Sequence, residues 1–173
     1  KPYNLSQLLT LKSQYPNSKI VVGNTEVGID NRFKKESFPI RISTADIKEL
    51  NIIEIKSNQY IKFGASVTLS KIKSTYENIL NNINSTPCER RTANAFISQI
   101  RWFSSTQIRN VCTIGGNIVN ASPISDLSPL LQAINASICI TSINHKEDII
   151  ININNFFINS KKVALKDNEI VKS

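Results

Sequence analysis

The chain has only five glycines in 173 residues, and four of them fall in two short segments. One is Val21-Val22-Gly23-Asn24-Thr25-Glu26-Val27-Gly28 and the other is Thr113-Ile114-Gly115-Gly116-Asn117. Each follows an apolar, strand-like stretch and joins glycine directly to asparagine. Glycine reaches positive φ without steric cost and lets another group come against bare backbone. A chain this sparing of glycine therefore predicts two tight turns at these places. The pair points to loops that converge on an extended ligand, best suited to one carrying phosphates.

In the first segment Gly23 bends the chain, and Asn24, Thr25 and Glu26 then offer successive backbone N–H groups. Such a nest binds an anion without any basic side chain. The same Gly-Asn pair is also common in ordinary hairpin turns, and both readings stand at this level. Neither GxxxxGK[ST] nor GxGxxG occurs, which argues against a P-loop and against a dinucleotide-binding Rossmann unit. The second segment continues to Leu127. It carries Thr113, Asn117, Asn120, Ser122 and Ser125, a row of neutral donors and acceptors suited to a ribose or a diphosphate. Asp126 falls at a helix start, where negative charge is favoured, so it is either a simple cap or part of the site.

Hydrophobic periodicity places these segments in an α+β order. Leu5, Leu8 and Leu9 mark a helix closed by Pro16, and Lys19 to Val22 is a β-branched strand. Residues 37–42 alternate like a strand, and 52–55 with 60–63 read as a hairpin. Leu69, Ile72, Tyr76, Ile79 and Leu80 predict a second helix capped by Thr68. A third runs through Ala93, Phe96, Ile97 and Ile100 to Trp102-Phe103, a pair that either packs in the core or stacks on a flat cofactor. Leu127, Leu130, Leu131 and Ile134 make a fourth, capped by Ser125 or Asp126. Residues 138–140, 149–153 and 163–165 finish as strands, and Ile170-Val171 reads as one more. The order predicts two lobes, about 1–50 and 51–173.

Composition narrows the function classes. A hydrophobic content of 40% with 20% charged residues is that of a soluble globular domain, and no stretch is long and apolar enough to span a membrane. The net charge of +8 is spread in ones and twos, as in Lys34-Lys35, Arg90-Arg91 and Lys161-Lys162. That pattern suits a solvated surface better than a nucleic-acid interface. Cys88, Cys112 and Cys139 have no CxxC spacing, and with no secretory leader they suit a reducing, cytoplasmic setting. Cys112 has no local base and reads as a buried structural thiol in preference to a nucleophile. The only histidine, His145, stands in a polar Asn-His-Lys-Glu turn. No cluster has metal-ligand spacing. With no methionine even at position 1, the chain reads as part of something longer.

Taken together, these residues identify a family. Lys19-Ile20-Val21-Val22-Gly23-Asn24-Thr25-Glu26-Val27-Gly28 closely resembles the flavin loop of the molybdenum-containing hydroxylases. Arg101-Trp102-Phe103, Gly115-Gly116-Asn117-Ile118 and Ala121-Ser122-Pro123-Ile124-Ser125-Asp126-Leu127 resemble that family's second flavin segment. The Ala-Ser-Pro-Ile-Ser-Asp-Leu run is similar to the xanthine dehydrogenase branch. Aldehyde oxidase-like and carbon monoxide dehydrogenase-like flavoproteins are the near alternatives, and a non-catalytic basic interaction module is the remote one.

The resemblance implies a PCMH, or vanillyl-alcohol-oxidase, type of domain with FAD between two α+β lobes. It implies a parent, expected to be a homodimer, in which a molybdopterin site hydroxylates the purine. Two [2Fe–2S] clusters then feed this FAD, which passes electrons to NAD⁺ or O₂. This segment alone is not expected to turn over purines. By resemblance, Lys19, Ile20, Val21, Val22, Gly23, Asn24, Thr25, Glu26 and Val27 wrap the diphosphate. Thr113, Gly116, Asn117, Val119, Asn120, Ser122, Ser125 and Asp126 hold the ribityl, ribose or diphosphate groups from the other lobe. Phe103 and Ser104 approach the isoalloxazine, with Ile170 and Val171 from the last strand and Ala65 as a further contact. Ser104 stands where the family usually has Ala, and Asn120 where it has Thr.

Overall fold

The computed structural model describes residues 1–173. The first helix, α1 (Leu5–Gln14), forms where the leucine spacing places it. The Asn4 side chain caps it by accepting from the Gln7 N–H at 2.9 Å, and Leu8 is fully buried. Its last turn holds a lysine that the sequence pattern does not single out. Lys12 is buried, and its ammonium donates to the Pro16 and Ser18 carbonyls at 2.6 and 2.9 Å. A cation at a helix C-terminus offsets the carbonyl dipoles there. Burial lowers the Lys12 pKa, against the opposing pull of Asp167.

Strand β1 (Lys19–Val21) leads through a loop into α2 (Val27–Phe33), and β2 (Arg41–Ser43) then returns parallel to β1, pairing Ile20 with Ile42. This parallel pairing excludes the hairpin reading of the first glycine segment, because parallel strands need a crossover. That crossover is α2, which the sequence reading missed. It also shortens the strand expected over 37–42 to its last two residues plus Ser43, since Pro39 has no N–H for a ladder.

A 3₁₀ turn (Lys48–Leu50) and the antiparallel hairpin of β3 (Ile53–Lys56) with β4 (Tyr60–Phe63) follow. Next come α3 (Leu69–Asn81) and α4 (Pro87–Trp102), packed on each other through Tyr76 and Phe96, whose rings stack at 4.4 Å. Thr68 caps α3 by accepting from Lys71, as the sequence predicts. Helix α4 opens with a full capping box. Thr86 accepts from the Glu89 N–H, and the Glu89 carboxylate accepts from the Thr86 N–H at 2.8 Å.

Two helices that the pattern did not predict come next, α5 (Thr106–Arg109) and α6 (Ile114–Asn120). The Gly115-Gly116 pair is therefore the first turn of a helix and not a loop. Helix α7 (Leu127–Ala133) is where the leucines put it. Asp126 makes no capping bond, and Ser125 Oγ instead accepts from the Ser128 N–H at 3.3 Å.

The chain ends with β5 (Ser137–Thr141), β6 (Ile149–Asn152), α8 (Ile153–Phe156), β7 (Phe157–Asn159), β8 (Lys162–Val163) and β9 (Ile170–Val171). Strands β6, β5 and β9 form an antiparallel sheet in that order, and β7 pairs with β8. His145 sits in the β5–β6 turn, yet its Nε2 lies 3.1 Å from the Oε1 of buried Glu169. Sequence reading left it as an ordinary polar turn because that partner is far along the chain.

The architecture is α+β, as expected. Leu8, Ile42, Ile47, Leu50 and Ile170 form one buried cluster, and a larger one is built on Leu69, Phe96, Ile100, Leu127, Phe156 and Val171. Successive side chains of a strand point to opposite faces. Strand β9 thus places Ile170 in one cluster and Val171 in the other.

The capping box makes one contribution to stability pH-dependent. Backbone bonding from Thr86, with help from the Ser57 hydroxyl and the Asn58 N–H, draws the Glu89 pKa down from 4.5 to about 2. A depressed carboxylate stabilises the fold fully above its unfolded pKa and loses that effect as pH falls through the folded value. In thermal melts, the gap between wild type and Glu89→Gln is expected to be widest above pH 4.5 and to close as pH falls toward about 2. A gap that stays constant across that range counts against the capping assignment.

Candidate functional site

The loop from β1 to α2 is seated on the segment that leads into α6. Gly23 adopts no positive φ, and none of the glycines does. What the position requires is space, because a Cβ there would collide with the Val111 carbonyl. The left-handed residue is its neighbour, Asn24, at φ 56°. Asparagine tolerates that region because its short polar side chain bonds locally. Burial pushes the Cys112 thiol pKa up, against the opposing influence of the Thr25 side chain, and Glu26 adds to the rise. A buried free thiol with a raised pKa suits the structural reading of Cys112.

The α6 segment is anchored on its other side. The Ile114 and Gly115 N–H groups donate to the Val67 and Ala65 carbonyls at 3.1 and 3.0 Å. A Cβ at Gly115 would come within 2.7 Å of both the Ala65 Cβ and its carbonyl oxygen. Ala65 in turn donates its N–H to the Lys172 carbonyl at 2.9 Å, just past Ile170 and Val171. Thr113 caps α6, accepting from the Gly116 N–H at 3.1 Å. The expected residues Gly23, Asn24, Thr25, Ala65, Thr113, Gly116, Asn117 and Val171 thereby come near one seam, although they come from four parts of the chain.

Farther along, Ser125 Oγ donates to Asn117 Oδ1 at 3.2 Å, and Ser122 Oγ accepts from the Ile124 N–H at 3.4 Å. Val119 and Asp126 are exposed on the same stretch. Ala121 ends α6 in the left-handed region at φ 45°.

Phe103 is half-buried against the larger core, and Ser104 follows it at φ 48°. The Arg109 guanidinium holds that turn, donating to the Phe103 and Ser104 carbonyls at 2.9 and 2.7 Å and to the Thr106 hydroxyl at 2.8 Å. The sequence reading missed this role. Trp102 is 80% exposed, which overturns core packing as its default role. The Ile170 and Val171 side chains face the two buried clusters. Lys19 lies away from the seam at the start of β1, its ammonium 5.1 Å from the Phe38 ring centroid.

Two features mark this region as built for a ligand. Three of the chain's seven left-handed non-glycine residues, Asn24, Ser104 and Ala121, belong to these segments. Such strain persists where the surrounding structure enforces it, and it concentrates at binding sites. The amides also differ between the two segments. The N–H groups of Ile114, Gly115, Gly116 and Asn117 are all engaged within the protein. Those of Val22, Gly23, Asn24, Thr25 and Glu26 donate to no protein acceptor. Five consecutive unpaired donors on one loop leave backbone dipoles free for an anion such as a diphosphate. The α6 segment carries small hydroxyl and amide side chains suited to sugar hydroxyls.

The sequence model of the FAD binding domain in molybdopterin dehydrogenase matches residues 1–173. Xanthine dehydrogenase 2 of Arabidopsis thaliana is 42% identical over 175 residues, and xanthine dehydrogenase/oxidase of Gallus gallus is 39% identical over 173. Each match covers 100% of this chain and 12% of the relative, so the chain spans about an eighth of those proteins. Among solved structures, quinoline 2-oxidoreductase from Pseudomonas putida 86 shares the fold with a TM-score of 0.82 at 17% identity. That match covers 99% of this chain and 55% of the other. Carbon monoxide dehydrogenase from Hydrogenophaga pseudoflava has the same TM-score and coverage at 20% identity.

The two glycines of α6 separate close packing from helix propensity. Gly115→Ala is expected to destabilise the chain by about 1–3 kcal/mol, as overpacking against backbone does. Gly116→Ala is expected to be near neutral. Its new Cβ meets only the Thr113 hydroxyl at 3.0 Å, and alanine's better helix propensity is worth about 1 kcal/mol. Urea unfolding of both variants tests this, and equal stabilities would refute the packing argument.

Proposed function

We propose that this chain, which belongs to the family of FAD-binding domains in molybdopterin dehydrogenases, holds FAD as the electron carrier of a xanthine dehydrogenase-like molybdoflavoenzyme. The five unpaired amides from Val22 to Glu26 carry this reading. They supply, without a single basic side chain, the anion site that a dinucleotide needs at its diphosphate. When bound, FAD supplies a redox centre that accepts electrons from [2Fe–2S] clusters and delivers them to NAD⁺ or O₂. The protein's part is position and electrostatics.

In this proposal residues 19–27 wrap the diphosphate. Thr113, Gly116, Asn117, Val119, Asn120, Ser122, Ser125 and Asp126 hold the ribityl, ribose or diphosphate groups from the facing side. Phe103 and Ser104 border the isoalloxazine, with Ser104 shaped by its left-handed backbone and by Arg109. Ala65, Ile170 and Val171 close the cradle at the β9 end. The side chains of Ile170 and Val171 are buried, so their part is played by the backbone. The cofactor lies between two lobes that divide near residue 50, and Ile170 of the second lobe completes the buried cluster of the first. Hydroxylation of the purine belongs to a molybdopterin domain outside these residues, in a cytoplasmic homodimer. No helix here is long and apolar enough to cross a membrane.

The visible spectrum of the purified protein tests the reading, which expects flavin bands at one FAD per chain. Asn24→Leu puts a bulky side chain at φ 56° in the amide nest. Asn117→Trp fills the facing wall. Both variants are expected to lose the flavin, and stoichiometric FAD in both would refute the site. Assays of the complete polypeptide with xanthine, aldehydes and carbon monoxide, each with NAD⁺ or O₂, separate the substrate classes.

A further inference from the structure

We infer that Lys161 is a positioning residue that locks the two walls of this cradle together and neutralises Glu26 beside the amide nest. This rests on the flavin reading above and adds a residue that neither the sequence pattern nor the resemblance supplies.

Lys161 stands in the tight β7–β8 turn with a left-handed backbone at φ 61°. Its N–H donates to the Ala121 carbonyl at 3.0 Å, fixing the turn to the end of α6. From there its ammonium donates to Asn120 Oδ1 and to Glu26 Oε1, both at 2.9 Å. Glu26 is 135 residues away in sequence and belongs to the loop with the unpaired amides. A single side chain thus joins the first wall to the second. Apart from Lys161, the nearest cation to Glu26 is Lys34 at 4.0 Å, and Lys34 is already committed to Asp30.

The electrostatic need is plain. A carboxylate beside the nest repels an incoming diphosphate, and at such short range like charges oppose each other appreciably even near the surface. Pairing Glu26 with Lys161 removes that repulsion while leaving the backbone donors free. The left-handed backbone at Lys161 and Ala121 is strain held in place by the bond between them, which argues that this geometry is required. A lysine on an unconstrained surface turn needs neither feature.

The test is FAD titration of flavin-depleted full-length protein, followed by quenching of flavin fluorescence. Lys161→Met is expected to weaken FAD binding roughly three- to fivefold, in line with losing one partly exposed, charge-assisted pair. Lys161→Arg is expected to stay within about twofold of wild type, because the charge is kept. Glu26→Gln combined with Lys161→Met is expected to regain most of the lost affinity. Riboflavin, which has no diphosphate, is expected to bind wild type and Lys161→Met equally, so a general loosening of the fold is distinguishable. Should Lys161→Met fail to fold, Lys161→Gln makes the same comparison. FAD affinity within twofold of wild type in Lys161→Met, or equal weakening for FAD and riboflavin, overturns the inference. A wild type that takes up no FAD overturns the flavin reading itself, and the inference with it.

Discussion

Backbone meeting backbone is the constraint on which the rest of this structure depends. Gly23 lies on the Val111 carbonyl, Gly64 on the Leu50 carbonyl and Gly115 on Ala65, each too close for a Cβ. These contacts bring the β1–α2 loop, the turn after β4 and the start of α6 into one seam. Hydrogen bonds from Ile114 and Gly115 to Val67 and Ala65, and from Ala65 to Lys172, hold it closed. A methyl group at any of these positions pushes backbone against backbone, which has no rotamer through which to yield.

The seam also sorts the backbone donors. Helix α6 begins with its amides already engaged, by Thr113 and by the turn at 65–67. The β1–α2 loop, pressed at Gly23 against Val111, keeps its amides unpaired. An unpaired donor is costly when buried and useful at a surface awaiting an anion. One wall of the cradle is therefore structural at its backbone and polar at its side chains, while the other is the reverse. Arg109 and Lys161 complete the frame from outside the glycine segments, each reaching into the site from a turn of its own.

Much of the fold was legible in the sequence because it depends on periodicity. The long helices α1, α3 and α4, the β3–β4 hairpin and strands β5, β6 and β9 follow from apolar spacing, and the start of α3 from its Thr68 cap. The short helices α2, α5, α6 and α8 were not legible. At four to seven residues they have too few turns to show a period, and tertiary contacts hold them where isolated helices of that length are unstable. The glycine segments were rightly singled out, but for only half of the right reason. None of the glycines uses positive φ, and the left-handed positions fell to Asn24, Ser104, Ala121 and Lys161. No local pattern announces a serine, an alanine or a lysine in that role.

By itself the sequence determined where backbone must come close, which residues supply neutral hydrogen-bonding groups, and, through its resemblance, the family. It could do so because these properties are local to a few adjacent residues. Only the tertiary structure decided that β1 and β2 run parallel, so that the first glycine segment is a crossover entrance and not a hairpin. It also decided which amides remain unpaired, that His145 faces Glu169, and that Lys161 bridges Glu26 to Asn120. Each of these depends on partners far apart along the chain, and only the folded packing brings them within hydrogen-bonding distance.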